Sequence, residues 1–348
     1  MPLIRSARLV AFFTLLAGCT PGARPPGPPA TPSRPLSVAA RDPEQVNLIA
    51  FGDWGGGTGA QREVAAALRG YSDQADAALL LGDNFYVSLK PGAEPRDDAW
   101  WTCFDDVYGR IKLTFYAVLG NHDYQVRDGV NKAQSELDRG QDPASQFRMP
   151  ARWYRIDIPG PNRRVSILML DSNYTDMWPA EWSEQFAWIR RQLRELHPRD
   201  GDRATAPWVI CCAHHPILTN GRGHDDEPRL NVDWLPLFNE YRVDFYLAGH
   251  NHCLEHVRDR RRSKVSHVVS GGGGKSVYGH LHRHPGKYFG TYGFVHLSLG
   301  PEQATVTYVG RRGEPFYSFT RDRRNGTEHD GEVRPDEPFE KGFKEWRR

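Results

Sequence analysis

Hard metal ligands recur in five short blocks of the chain: Asp53 in FGDWGGG, Asp83 and Tyr86 in LGDNFY, Asn121 and His122 in LGNHD, His214 in CCAHHP, and His250 and His252 in LAGHNH. Carboxylate, phenol, amide and imidazole donors in one chain suit a pair of cations working on phosphate. Most of the blocks directly follow an apolar, strand-like run: NLIAF, AALLL, FYAVL, WVICCA and DFYLA. Strands are therefore expected to deliver the ligands to one edge. Taken singly, each block reads equally well as structure. A glycine-rich turn needs positive φ angles, Asp and Asn commonly form turns after strands, and a lone His214 suits a hydrogen-bonded interior. Their convergence at several strand ends is what marks a site.

The elements that must position these residues follow from pattern. Thr58 and Gln61 form a capping box for a helix carrying Val64, Ala65 and Leu68 and expected to stop at Gly70. Pro179 opens a second helix, in which Trp182, Phe186, Ile189, Leu193 and Leu196 form the apolar stripe of a helix lying on a sheet. RVSILML, VSHVV, FVHLSL and ATVTYV have the β-branched and apolar content of strands. The fold class is α/β, a layered sandwich over 46–320. The charged, Gly/Pro-punctuated stretch 321–348 is expected to be a solvated tail, with Asn325 in an NGT glycosylation pattern.

The chain has 348 residues, 39% hydrophobic and 25% charged, enough for a large core in one domain. A net charge of +2 gives no case for nucleic acid or an acidic membrane as a bulk partner. Arg5 and Arg8 precede a short apolar run, Leu9 to Ala17, of secretory type. Leu15 to Cys19 resembles a bacterial lipobox, so residues 1–19 are expected to be a lipoprotein signal with Cys19 lipidated, and the Pro-rich 20–45 a linker. The expected location is the cell envelope, periplasmic or outer-membrane associated, held by lipid alone. Cys103, Cys211, Cys212 and Cys253 are expected to pack as buried hydrophobes, with Cys211 and Cys212 on opposite faces of one strand.

At the ligand blocks the chain resembles the metallophosphoesterase superfamily, and within it the purple acid phosphatases of the tartrate-resistant type. FRMPARWYRI, LMLDS and FAWIRRQL are similar to connecting segments of that family. Many superfamily members begin Asp-x-His, where this chain has Gly55; the purple phosphatases use instead a tyrosine three residues after the second aspartate, here Tyr86. The resemblance implies a calcineurin-like, four-layer α/β/β/α sandwich. It implies Asp53, Tyr86 and His252 on a ferric ion, Asn121, His214 and His250 on Fe²⁺, Zn²⁺ or Mn²⁺, and Asp83 between them. It further implies attack of metal-bound hydroxide on a phosphate monoester in an acid phosphatase of acidic optimum, with His122 as proton donor and His224 as a second acid. Three negatives, from Asp53, Asp83 and ionised Tyr86, against five positives leave a site attractive to a phosphate dianion. A monomer is expected. Two alternatives stand: a phosphodiesterase or nucleotide hydrolase on the same fold, and a surface-binding lipoprotein without catalysis. His215 is expected as pocket wall, and GGGGKS, Gly271 to Ser276, as a loop at the metal rim rather than a Walker motif, because Val269 stands where its first glycine belongs.

Overall fold

In a computed structural model, residues 31–42, 44–92, 98–159, 165–197 and 206–333 are described. The expected signal and Cys19 lie outside them. Two eight-stranded sheets carry the fold. The first contains β2 (Val46–Phe51), β3 (Ala77–Leu80) and β4 (Phe115–Ala117) side by side and parallel, with β7 (Phe147–Arg148) beyond β4. On the other flank of β2, β15 (Gly293–Leu299), β16 (Gln303–Gly310), β17 (Pro315–Asp322) and β18 (Glu328–Val333) continue it antiparallel. The second sheet has a parallel centre of β9 (Val165–Met169), β10 (Trp208–Cys212), β11 (Phe245–Ala248) and β13 (Ser266–Ser270). Its flanks are β1 (Leu36–Ser37) and β8 (Tyr154–Ile158) on one side, β12 (Leu254–Val257) and β14 (Gly286–Phe289) on the other.

Strand alternation divides the interior into two cores. On the second sheet Ile167, Met169, Ile210, Cys212, Phe245 and Leu247 join the core shared with the first sheet. Their neighbours Leu168, Leu170, Val209, Cys211, Tyr246 and Ala248 turn to helices α4 (Pro179–Leu196) and α5 (Pro228–Glu240). Adjacent Cys211 and Cys212 thus face opposite ways, as a two-residue period requires. All four described cysteines are free and buried. Trp182 of α4 stacks on Trp234 of α5 with centroids 5.2 Å apart and nearly coplanar rings, locking the helix pair over the sheet. Phe186, expected in the stripe, is only partly buried.

The first sheet is covered by α1 (Gly59–Ser72), a π-helical turn (Trp101–Asp105) running into α2 (Asp106–Tyr108), and α3 (Lys132–Gln141). Thr58 Oγ1 caps α1 by accepting the Gln61 N–H, while Gln61 Oε1 reaches back to accept from Gly57 N. The helix runs through Gly70 to Ser72, two residues beyond its expected stop. Tertiary packing of the buried Leu68 and Ser72 holds that last turn, where glycine alone favours an end.

Both expected domain ends move outward. Leu36 and Ser37 pair in parallel with β8, and Leu36, Val38 and Ala40 pack on the core, so the linker joins the domain before Val46. At the other end β17 and β18 form a hairpin past Arg321, with Phe316, Tyr317 and Phe319 buried beneath it. EHDGEV reads as a tail by composition because an edge strand keeps one polar side; its Glu328 is nevertheless buried against Arg260 and His256.

Candidate metal centre

Asp53 follows β2, Asp83 follows β3, Asn121 follows β4, His214 follows β10 and His250 follows β11, so the C-terminal ends of both parallel centres meet at one edge. Backbone bonds stitch the seam. Gly52 N donates to Ser270 O at 2.7 Å and Gly273 N to Gly52 O at 3.0 Å, while the bond from Gly249 N to His214 O at 3.0 Å ties the ends of β11 and β10 within the second sheet. Asp53, Asp83 and His250 all adopt left-handed backbone, with φ of 60°, 49° and 68°. Such conformations are uncommon off glycine and persist where surroundings impose them, which is characteristic of functional sites.

The donors gather in two groups. In the first, Tyr86 OH lies 3.0 Å from Asp53 Oδ1 and 3.1 Å from His252 Nε2, which is 3.5 Å from Asp53 Oδ1. In the second, His214 Nε2 lies 3.1 Å from Asn121 Oδ1 and 3.1 Å from His250 Nδ1. Asp83 Oδ1 is 3.4 Å from His214 Nε2, and Asp83 also shares a cluster with Asp53 and His252, so it belongs to both groups. Donors with these separations surround a point about 2 Å from each, the range of metal–nitrogen and metal–oxygen bonds. The residues present therefore fit two cations. Tautomers are fixed to suit: Nδ1–H of His214 donates to Leu81 O at 2.9 Å and that of His252 to Ser276 O at 2.8 Å, leaving each Nε2 lone pair aimed inward.

Electrostatics agree with a site built for cations. Burial first, then the charges of Asp53 and Asp83, push the Tyr86 phenol well above its ordinary pKa. Burial and the neighbouring imidazoles hold His250 well below its ordinary value, keeping it a neutral donor. Burial opposes the charged form of His214, but Asp83 and Asp53 outweigh it and raise its pKa. A bound cation inverts this logic for the phenol, because positive charge beside the oxygen favours phenolate.

His122 and His224 both reach the rim. His122 N donates to Asp83 Oδ1 at 2.8 Å, its Nε2 is 4.0 Å from Asp83 Oδ2, and its ring lies 4.7 Å from that of Tyr86. His224 stacks on His250 at 3.7 Å. His215 stands in the pocket wall, 4.4 Å from the His250 ring with Nδ1 bonded to Ser172 Oγ. The GGGGKS loop sits at the metal edge: Lys275 N donates to Asp53 O, and Lys275 Nζ lies 4.5 Å over the Tyr86 ring.

Several supporting residues escaped sequence reasoning, although Asn84, Asp123 and Asn251 stand inside the same blocks. Buried Asp123 accepts from Asn84 N, Phe85 N and Gly120 N, tying the Asp83 loop to the Asn121 loop. Asn84 Nδ2 donates to Glu136 Oε2, and buried Lys132 donates to Phe85 O, so α3 clamps the same loop. Asn251 Nδ2 donates to Thr219 Oγ1 and to His224 O, placing the His224 segment. The signal that could have found Asn84, Asp123 and Asn251 is a polar residue within two positions of a ligand, facing away from it. Gly55 also has a steric reason: a side chain there would strike the Asn84 carbonyl, so no ligand can project from this position.

The sequence profile of the calcineurin-like phosphoesterases matches residues 46–254, which contain all seven converging donors. The chain is 27% identical to the tartrate-resistant acid phosphatase type 5 of Sus scrofa, over 82% of this chain and 89% of that one. It is 26% identical to purple acid phosphatase 7 of Arabidopsis thaliana, over 83% and 89%. Among solved structures, GAP50, the anchor in the inner membrane complex of Plasmodium, superposes with a TM-score of 0.65 at 21% identity, covering 84% of this chain and 90% of that one. The purple acid phosphatase of Lupinus luteus seeds gives 0.61 at 18%, covering 80% and 54%. Two sheets flanked by helices agree with the fold these share, and the relatives imply a dinuclear metal centre that the two donor groups fit. With the profile spanning more than half the chain and every donor within it, this protein belongs to the calcineurin-like phosphoesterase family.

Proposed function

We propose that this chain is a dinuclear-metal acid phosphatase that hydrolyses phosphate monoesters. The observation that carries the reading is the convergence of two donor groups on a shared carboxylate, Asp83. In this reading Asp53, Tyr86 and His252 would hold a ferric ion, Asn121, His214 and His250 would hold Fe²⁺, Zn²⁺ or Mn²⁺, and Asp83 would serve both. Phenolate suits the harder, more charged cation, amide and imidazole the divalent one. When bound, such a pair supplies Lewis acidity and an activated water for in-line displacement at phosphorus.

The protein's own groups do the rest. Asp53, Asp83 and Tyr86 are buried at the floor and His122 is half exposed above them, so a phosphate resting on the floor presents its leaving oxygen to that imidazole. His122 then donates a proton to the departing alcohol, and His224 contacts the ester from the opposite rim. A charged imidazole is needed for that donation, which makes an acidic optimum part of the reading. The fold likeness to an anchor protein does not favour a binding-only role, since binding alone requires no such set of converging donors.

Relative turnover of an aryl monophosphate and the corresponding bis-ester on purified protein tests the substrate class. Preference for the bis-ester would move the reading to phosphodiesterase. His122→Ala is expected to keep both metals and lose roughly 10²–10⁴ in turnover; loss of metal would make the residue structural instead. Export and lipid anchoring through Cys19 belong to the proposal, as do a monomeric state and no nucleic-acid partner. Among the described residues no helix is long and apolar enough to cross a membrane. A Cys19→Ser variant that stayed in the membrane fraction would sink the anchor.

A further inference from the structure

The chain's net charge is only +2, yet its cations are unevenly placed. The loop RDRRRSK, residues 258–264, joins β12 to β13, and the turn RDRR, residues 321–324, ends β17. Together with Arg242 they line a cleft of about 860 Å³. Because β13 runs parallel to β11, and both end at the metal edge, residues preceding these strands lie at the opposite edge of the sheet. The cleft is therefore separate from the metal centre.

Its lining is lopsided. Arg242, Arg258, Arg260, Lys264, Arg321 and Arg324 face a single lining carboxylate, Glu328. Glu328 is buried and shared: Arg260 approaches it at 2.6 Å, Arg321 at 3.5 Å and His256 at 3.2 Å. Arg258 and Arg324 lean on Asp330 and Glu302, carboxylates outside the lining. No carboxylate among the described residues pairs with the exposed Lys264 ammonium. Planar guanidinium forks and an ammonium around one concavity match the oxygens of phosphate groups, which each offer several acceptors. A concave cleft also suits a free molecule better than a flat lipid surface, which would meet only its rim.

We propose that this cleft binds a small polyanion carrying two or more phosphate groups, at a site distinct from the metal centre. The buried Arg321 and the buried Glu328 carboxylate form the floor, the exposed Arg260 reaches in to pair with Glu328, and the exposed Lys264 and Arg324 close over the ligand. The proposal does not depend on the phosphatase reading, since no metal ligand contributes.

Calorimetric titration of the full-length protein with inorganic tripolyphosphate, before and after removal of metals by chelation, tests it. One equivalent is expected to survive chelation and to weaken severalfold as salt rises, since the mouth is exposed to screening. Lys264→Glu and Arg324→Glu, both at exposed positions, should each raise Kd about fivefold or more by reversing a contact charge. The double variant should lose detectable binding while keeping the wild-type melting temperature and aryl phosphate turnover. Glu302→Gln, which releases Arg324 from its carboxylate, should tighten binding. Binding that vanishes on chelation, or that is unchanged in the double variant, overturns the site. So does sedimentation with anionic phospholipid vesicles without binding of free tripolyphosphate.

Discussion

Replacing Gly249 with alanine probes whether the two donor groups depend on one close backbone approach. A Cβ at Gly249 would lie 2.5 Å from Asp53 Oδ2, 2.9 Å from Leu81 O and 3.5 Å from His214 Nδ1. Ordinary contact begins near 3.4 Å, so Asp53 must retreat by 3.4 − 2.5, or 0.9 Å, and the Leu81 carbonyl by 3.4 − 2.9, or 0.5 Å. Asp53 belongs to the first group, and Leu81 O orients His214 of the second, so a single methyl disturbs both. Functional constellations tolerate about 0.5 Å, and a misplacement of about 1 Å reduces turnover roughly 100-fold. Overpacking should also destabilise the protein by about 1–3 kcal/mol. Gly70→Ala is the control, for nothing lies within 4 Å of its Cβ and it sits inside α1. There alanine should stabilise by about 0.5–1 kcal/mol and leave turnover alone. Elemental analysis, aryl phosphate kinetics and thermal melting of the three proteins provide the assay. If Gly249→Ala bound a full complement of metal and turned over within threefold of wild type, the steric coupling of the two groups would be refuted.

On the proposed assignment of iron to the first group, Tyr86→Phe should abolish a visible tyrosinate-to-iron band while the Asn121 group still takes a divalent ion; persistence of the band would remove Tyr86 from the first group. Glu328 is depressed to about 2 from 4.5: burial alone would raise it, but the hydrogen bond and charge of His256, with Arg260 and Ser266, outweigh that. A depressed carboxyl stabilises above its unfolded pKa and loses that stabilisation as pH falls through the folded value, so this contribution of up to about 3 kcal/mol should fade between about pH 4.5 and 2. Glu328→Gln should accordingly be less stable at pH 7 and converge with wild type in acid. Parallel melting curves across that window would show that the ion-pair cluster does not act through this carboxyl. Trp182→Ala removes one ring of the stacked pair with Trp234 and should reduce unfolding free energy by about 3–5 kcal/mol in a denaturant titration. A loss under about 1 kcal/mol would mean the stack is ornamental to helix docking.

Much of the site was legible because its signals are local. A ligand type is a property of one residue, and an apolar run followed by Gly-Asp or Gly-Asn is a strand meeting a turn. Helices α1 and α4 announced themselves by caps and spacing, and the opposed faces of Cys211 and Cys212 follow from a strand's period of two. Elements whose burial is decided by distant partners were not legible. The polar edge strand β18 looked like a tail, and β1 looked like linker, because each gains its place only by pairing with a strand elsewhere. Residues 124–150 contain the hairpin of Val126–Arg127 with Val130–Asn131 and helix α3, elements that no periodic pattern in the sequence announced.

What the sequence by itself determined is the donor inventory and its delivery to strand ends, since side-chain chemistry and strand punctuation are written residue by residue. What only the tertiary structure decided is the grouping. His250 N reaches Asp53 across 197 residues, and His214 meets Asn121 across 93. Such contacts arise when two sheets pack face to face and hold Asp53, Asp83 and His250 in left-handed backbone that local preference disfavours. Chain-distant packing supplies that constraint, so the centre exists in the fold and only its parts exist in the sequence.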